Sequence, residues 1–381
     1  MTQKLKVMTI LGTRPEIIRL AAVMKRLDQH VDHKIVHTGQ NYDYELNEVF
    51  FQDLKVRKPD YFLNVNTSSL GQVLGNVLIS VEKVLLSERP DAVLILGDTN
   101  SSIAGIVAKR MKIPLYHMEA GNRCFDMNVP EEINRRIIDH ISDFNLVYTE
   151  HARRHLLGEG IPHRRIYLTG SPMREVLLSH LNEIKASGIL ETLGLKKDGY
   201  FLVSTHREEN VDNRENLSKI LTALATVHRE FGLPVIVSTH PRTRKRLESL
   251  GHEDLSNAIQ FLKPFGFLDY NWLQMNARCV ISDSGTITEE SAILKFPAIT
   301  IRNAFERPEG LDSGTIVLTG LDPETIVAAI RLQISPDNQE MPWRIPADYE
   351  IENTSYRVVK LIVGTAKLNP IWENLRSNDL A

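Results

Sequence analysis

Apolar runs of strand length alternate with amphipathic stretches of helical period along most of this chain, a pattern that few folds accept. Repeated in series, it predicts parallel strands joined by crossover helices. In the first half the runs fall at 5–11, 34–38, 91–96, 113–118, 144–148 and 166–169, with amphipathic stretches at 17–27, 74–86 and 103–111 between them. The second half repeats the style at 200–204, 234–238, 258–262, 279–282, 298–301 and 315–318. The expectation is an α/β protein of two Rossmann-like domains, and 381 residues are too many for one ordinary core.

Strand signals stop after Gly170-Ser171-Pro172 and resume only at Tyr200, with a charged helical segment over 174–193 and a stop at Gly194. The expected domains are therefore 1–172 and 173–360. A helical tail begins near Asn353, and its last part, 361–381, is expected to pack back on the first domain. A net charge of −3 excludes a whole-chain basic footprint for nucleic acid. Two cysteines, Cys124 and Cys279, cannot build a disulfide framework and suit a reducing compartment. The opening MTQKLKVMTILG reads as a first strand turning at Gly12, without a signal peptide, and no apolar run approaches the ~20 residues that span a bilayer. The expected setting is the cytoplasm, away from membranes.

Chemistry concentrates where apolar runs end. The run 113–118 gives way abruptly to Glu119, and Glu131 and Glu132 follow Pro130, a good first residue for a helix. Asp98 stands at another strand end, where a helix N-cap would equally explain it. Open α/β sheets bind ligands at such strand ends and helix starts, so these acids are expected to form an active site. After the first run, Gly12-Thr13-Arg14-Pro15-Glu16 offers backbone N–H groups and Arg14 to a phosphate, although a plain turn with a solvated Arg14 fits the spacing as well. Neither domain's first strand is followed by G-x-G-x-x-G, and no Walker motif occurs, so nicotinamide, flavin and P-loop chemistry lose their main support.

In the second half His206-Arg207 follows a strand and can meet a phosphate or move a proton. Asp283-Ser284-Gly285-Thr286 opens a helix whose amino end suits a diphosphate, with a glutamate farther on for ribose; Thr286 and Glu289 also have the spacing of a capping box that needs no ligand. Arg302 and Arg307 add cations near another strand end, as does the His240-Pro241-Arg242 segment. His151 and His155 have the i, i+4 spacing of a zinc helix but no intervening glutamate, so a surface helix is expected there and no metal. The acids Asp98, Glu119 and Glu131 thus belong to the first half and the phosphate-seeking groups to the second. A nucleotide sugar in an interdomain cleft would meet both sets.

The segments GTRPEIIRL, LGDTN, HMEAGNR, VPEEINRR, STHREEN, DSGTITEE and ERPEG occur in order from Leu5 to about Gly320. Together they resemble the non-hydrolysing UDP-N-acetylglucosamine 2-epimerase family. That resemblance implies a GT-B fold, a UDP-sugar in the cleft, no cofactor and a homodimer. It implies Asp98, Glu119 and Glu131 as catalytic carboxylates and His206 as the essential histidine beside the diphosphate. It also implies Arg14, Arg19, His240, Ser284, Gly285 and Arg302 as substrate- or UDP-binding residues and Glu290 as the acid that holds ribose. Arg19 stands where the UDP-N-acetylglucosamine enzymes usually have lysine, and residues 40–46 lack the Gln-His-Arg type of segment tied to a second, activating nucleotide. With HTGQNYDYELNEVFF, GNRC and TGSPM, Arg19 makes the chain similar to a sub-branch that forms UDP-N-acetyl-L-fucosamine from UDP-2-acetamido-2,6-dideoxy-L-talose for capsule or O-antigen. The alternatives are a UDP-N-acetylglucosamine 2-epimerase and, as another reaction class, a GT-B glycosyltransferase.

Overall fold

The computed structural model describes residues 4–39, 44–239, 243–244, 246–247, 258–340 and 345–375. The chain forms two compact units, Met1–Leu178 with Asp348–Ala381, and Ser179–Ala347. In the first, β1 (Lys6–Leu11), β2 (Asp32–His37), β3 (Tyr61–Phe62), β4 (Ala92–Leu96), β5 (Leu115–Ala120), β6 (Phe144–Val147) and β7 (Ile166–Leu168) form one sheet in the order β3-β2-β1-β4-β5-β6-β7. In the second, β8 (Phe201–Thr205), β9 (Val235–Thr239), β10 (Ile259–Leu262), β11 (Cys279–Ser282), β12 (Ala298–Thr300) and β13 (Val317–Leu318) are ordered β10-β9-β8-β11-β12-β13. Every pairing in both sheets is parallel, as the apolar runs predict. Among the described residues only β3, two residues long, escapes the sequence reading.

Two strands differ instructively from the expected runs. The run from Ile113 starts late, at Leu115, because Pro114 cannot donate to the ladder. It also ends late. Met118 pairs with Leu146 and Ala120 with Val147, so Glu119 is squeezed out as a bulge inside β5 rather than standing beyond its end.

In the first unit the Leu70–Glu88 helix buries Val77, Val81, Val84 and Leu85 against Met8, Ile10, Val36, Val93 and Ile95. Four such side chains contribute on the order of 10 kcal/mol of gross hydrophobic stabilisation. By length and composition alone this helix could cross a membrane, which the linear run conceals because Glu82 and Lys83 interrupt it. Residues 174–193 fold as three short helices, Met173–Ser179, Leu181–Lys185 and Ile189–Leu193, and Gly194 ends the last in the left-handed conformation, φ 63°. After Asp348 the chain rejoins the first unit. There the Thr354–Thr365 helix packs on the Arg14–His30 helix: Arg26 Nε donates to Ser355 Oγ at 2.8 Å and its guanidinium lies 3.5 Å over the Tyr356 ring.

In each sheet the strand order reverses at one place, β1 beside β4 and β8 beside β11. Loops leaving the carboxyl ends of those strands diverge and leave a crevice, the usual ligand position in open parallel sheets.

Candidate active site

The first crevice begins after β1. A Cβ on Gly12 would lie 2.0 Å from Ser101 Oγ and 2.2 Å from Thr38 Oγ1, so only glycine lets these loops close on one another. Thr13 occupies the N-cap of the Arg14–His30 helix, but its hydroxyl donates to Glu16 Oε2 at 2.7 Å instead of capping. Glu16 also accepts from the Gly12 N–H at 3.0 Å and the Thr99 hydroxyl at 3.3 Å. Burial pushes its carboxyl up to about 7 against the pull of those hydrogen bonds. Arg14 is half-buried, with its guanidinium 5.9 Å from the Phe50 ring centre.

Asp98 follows Gly97 at the end of β4, and it does not cap. Thr99 takes that place, accepting from the Ser101 N–H at 3.2 Å, while Asp98 Oδ2 meets Arg135 NH2 at 2.7 Å. The bulged Glu119 has φ 64°, a left-handed conformation that costs a non-glycine residue roughly 1 kcal/mol. Strain of this kind collects where a side chain must be aimed. Its carboxylate pairs with Arg19 and accepts from Asn122 Nδ2 at 3.2 Å. Because Glu119 Oε2 lies 3.5 Å from where a Gly97 Cβ would sit, the ends of β4 and β5 bring the Asp98 loop beside this carboxylate. Glu131, half-buried, enters through the first turn of the Pro130–Ile141 helix, and Asn134 of that helix donates to the Asp98 carbonyl at 2.9 Å. Its neighbour Glu132, which helix-start electrostatics alone would explain, is instead completely buried, 3.2 Å from Arg135 and 2.9 Å from Arg136. The Cys124 thiol contacts that carboxylate at 3.3 Å, and burial pushes it up to about 11.

The second crevice has an axis that the sequence did not reveal. Asp283, fully buried after β11, accepts from the backbone N–H groups of His206 and Arg207 and from Asn210 Nδ2, at 3.0–3.1 Å. Its Oδ1 also faces His206 Nδ1 at 3.2 Å. Burial pushes this carboxyl up, but the charge of His206 and the converging donors outweigh it and hold the group at about 2. His206 is thereby anchored at one ring nitrogen and remains exposed over the rest of its ring.

Around Gly285 the positions are crowded with charge. A Cβ there would stand 3.7 Å from Arg207 NH2 and 3.8 Å from Glu306 Oε2. Arg302 is buried against Glu306 at 2.9 Å, whereas Arg307 bonds the Gly285 carbonyl at 3.0 Å and pairs with Glu289 at 3.2 Å. The Thr286–Glu289 capping box is not formed: Thr286 is itself helical and bonds Ser284 Oγ at 2.9 Å, and Glu289 turns to Arg307. Glu290 accepts from Gln274 Nε2 at 2.7 Å, which fixes one of its oxygens. His240 and Arg242 lie outside the described residues. His155 serves a structural purpose, its Nδ1 3.0 Å from the Gly121 carbonyl and its ring edge-on to Phe125. Among the described residues no group of three His, Cys, Asp or Glu side chains is placed to hold a metal ion.

Comparison with known proteins shows the family and the fold. The sequence profile of a family described as UDP-N-acetylglucosamine 2-epimerase matches residues 25–363. The structure is similar to that of UDP-N-acetylglucosamine 2-epimerase from Rickettsia bellii, with 48% identity and a TM-score of 0.92 over 97% of this chain and 100% of that one. It is also similar to the Methanocaldococcus jannaschii UDP-GlcNAc 2-epimerase in complex with UDP-GlcNAc and UDP, with 36% identity and a TM-score of 0.89 over 94% of this chain and 100% of that one. A Pseudomonas aeruginosa UDP-2,3-diacetamido-2,3-dideoxy-D-glucuronate 2-epimerase is 35% identical over 342 residues, 88% of this chain and 94% of its own.

Proposed function

Because the chain belongs to the UDP-N-acetylglucosamine 2-epimerase family, a family of carbohydrate epimerases, we propose that it inverts C2 of a UDP-2-acetamido-6-deoxy-L-sugar, converting UDP-2-acetamido-2,6-dideoxy-L-talose to UDP-N-acetyl-L-fucosamine for capsule or O-antigen synthesis. The observation that carries the epimerase chemistry is the strained Glu119, aimed beside the Asp98 loop and paired with Arg19. A base removes the C2 proton while the C1–O bond to UDP breaks, leaving a 2-acetamidoglycal and UDP. Protonation at C2 from the other face and return of UDP to C1 complete the inversion, with no net change in oxidation state. Asp98, Glu119 and Glu131 divide the base and acid roles. A guanidinium cannot give up a proton at neutral pH, so Arg19 supplies charge to Glu119 and leaves proton transfer to the carboxylates.

His206, Ser284, Gly285 and the start of the Ile287–Leu294 helix take the diphosphate, and the family resemblance assigns Arg14 to phosphate as well. Glu290 takes the ribose; Arg302, tied to Glu306, acts by charge rather than direct contact. The reading takes the enzyme as a cytoplasmic homodimer. The L-sugar assignment rests on Arg19 and the GNRC and TGSPM segments, whereas the names of several relatives favour UDP-N-acetylglucosamine as the substrate.

Proton NMR in deuterated water separates these readings. Incubation with UDP-2-acetamido-2,6-dideoxy-L-talose is expected to erase the C2 proton signal as the epimer forms, with the signal of UDP-N-acetylglucosamine retained. Exchange confined to UDP-N-acetylglucosamine refutes the L-sugar assignment. Transfer of the sugar to an acceptor without C2 exchange refutes the epimerase reading altogether.

A further inference from the structure

The Asp98 carboxylate is one link in a ring of side chains that closes through the Gly97 peptide. From Asp98 the ring passes to Arg135 at 2.7 Å, and Arg135 reaches Glu132 at 3.2 Å. Glu132 meets Arg136 at 2.9 Å, and Arg136 crosses to Glu159, at the end of the Glu150–Gly158 helix, at 3.1 Å. Arg123 takes both oxygens of Glu159, through Nε at 2.7 Å and NH2 at 2.6 Å, and turns its NH1 to Asp139 at 2.7 Å. Asp139 Oδ1 lies 2.9 Å from His117 Nδ1, and His117 Nε2 donates to the Gly97 carbonyl at 2.8 Å. Gly97 is bonded to Asp98, which closes the circuit.

Charge alternates from Asp98 through Arg135, Glu132, Arg136, Glu159 and Arg123 to Asp139, and most of the ring is dry. His117, Arg123, Glu132, Arg135 and Asp139 are buried, and Arg136, Asp98 and Glu159 reach solvent. A buried array of this size is costly to desolvate, and an apolar core of equal volume would stabilise the fold at least as well. What the ring provides is position. It grips the Glu119 bulge from both sides: Asp139 accepts from the Gly121 N–H at 3.2 Å, and the Gly97 N–H donates to the Met118 carbonyl at 2.9 Å. It also grips Asp98 twice, through Arg135 at the carboxylate and through His117 at the preceding peptide.

We propose that this ring is a positioning device for the Asp98 and Glu119 carboxylates, and that Arg123, Asp139 and Glu159 are positioning residues of the reaction although none stands at the crevice. The inference rests on the epimerase reading. The test is C2 exchange by the full chain with the UDP-sugar that the wild type turns over, together with UDP affinity by calorimetry. Asp139→Asn is expected to lower kcat about 100-fold, the scale of an ångström-sized misplacement, and Glu159→Gln about 10-fold. KM and UDP affinity should stay within about twofold in both, because the ring lies in the first unit and most diphosphate groups in the second; uniform binding is then untouched. The double variant should fall no more than about threefold below Asp139→Asn alone, since a ring broken once is already open.

Folded variants that exchange at the wild-type rate overturn the proposal. So does a loss of kcat matched by an equal loss of UDP affinity, which would mark general unfolding. Should Asp139→Asn fail to fold, Glu159→Gln, at a side chain that reaches solvent, decides alone. A wild type that exchanges no C2 proton refutes the epimerase reading instead, so the two failures are distinguishable.

Discussion

Glu16 and Asp283 are buried carboxyls pushed in opposite directions, and each sets a measurable pH dependence. The Glu16 carboxyl titrates near 7 in the folded protein and near 4.5 when unfolded, so the folded state holds a proton that the unfolded chain has lost between those values. Stability on this account is full below pH 4.5 and declines as pH rises to about 7. Glu16→Gln, which keeps the shape and the Thr99 contact, is expected to raise stability at pH 8 by up to about 3 kcal/mol, with the gain gone by pH 4; urea unfolding across that range checks it. Asp283 runs the other way: its contribution is present above pH 3.8 and is lost as pH falls through about 2. Asp283→Asn should therefore cost about 2 kcal/mol at pH 7 and, by releasing His206, reduce kcat more than KM in the C2 exchange assay. Neither residue was legible as functional. Each looks in sequence like a neighbour of a motif residue, and what singles it out is convergence of donors from Thr99, 83 positions away from Glu16, or from Asn210, 73 away from Asp283.

At the scale of elements, apolar runs located every strand of four or more residues to within two positions, because buried parallel strands leave an unbroken hydrophobic signature. Bulges and caps were read less well. No residue type encodes the left-handed Glu119, which is forced by the register on β6, and Thr99 captured the cap that Asp98 could have made. The Thr354–Thr365 helix shows how much one late element carries. Val358, Val359, Ile362 and Ala366 are buried, and the Thr354 hydroxyl donates to the carbonyls of Thr169 and Ser171 at 3.1 Å. Removing everything after Ala347 should withdraw more than about 5 kcal/mol, comparable to the net stability of a domain. Limited proteolysis of that truncated chain is expected to digest residues 1–178 and spare 179–347. Equal protection of both would contradict it.

For the molecule as a whole, the alternation of runs and amphipathic stretches was enough to establish two parallel α/β units, and strand-end logic put its candidate acids in one and its candidate phosphate-binding residues in the other. The ring through Arg123 and Glu159 was beyond such reading, since its links join residues from 97 to 159 by ion pairs that carry no periodic trace. The first unit is also discontinuous, opened at Leu178 and completed only from Asp348. That interruption gives the protein a timetable during synthesis. A ribosome adding about 5–20 residues per second needs on the order of 10–30 s to make the roughly 170 intervening residues. Throughout that interval Arg26 and Glu175 await Ser355, so the half of the protein begun first, with its acids, is finished last. Nascent chains pass those seconds with the Arg14–His30 helix not yet covered by the Thr354–Thr365 helix.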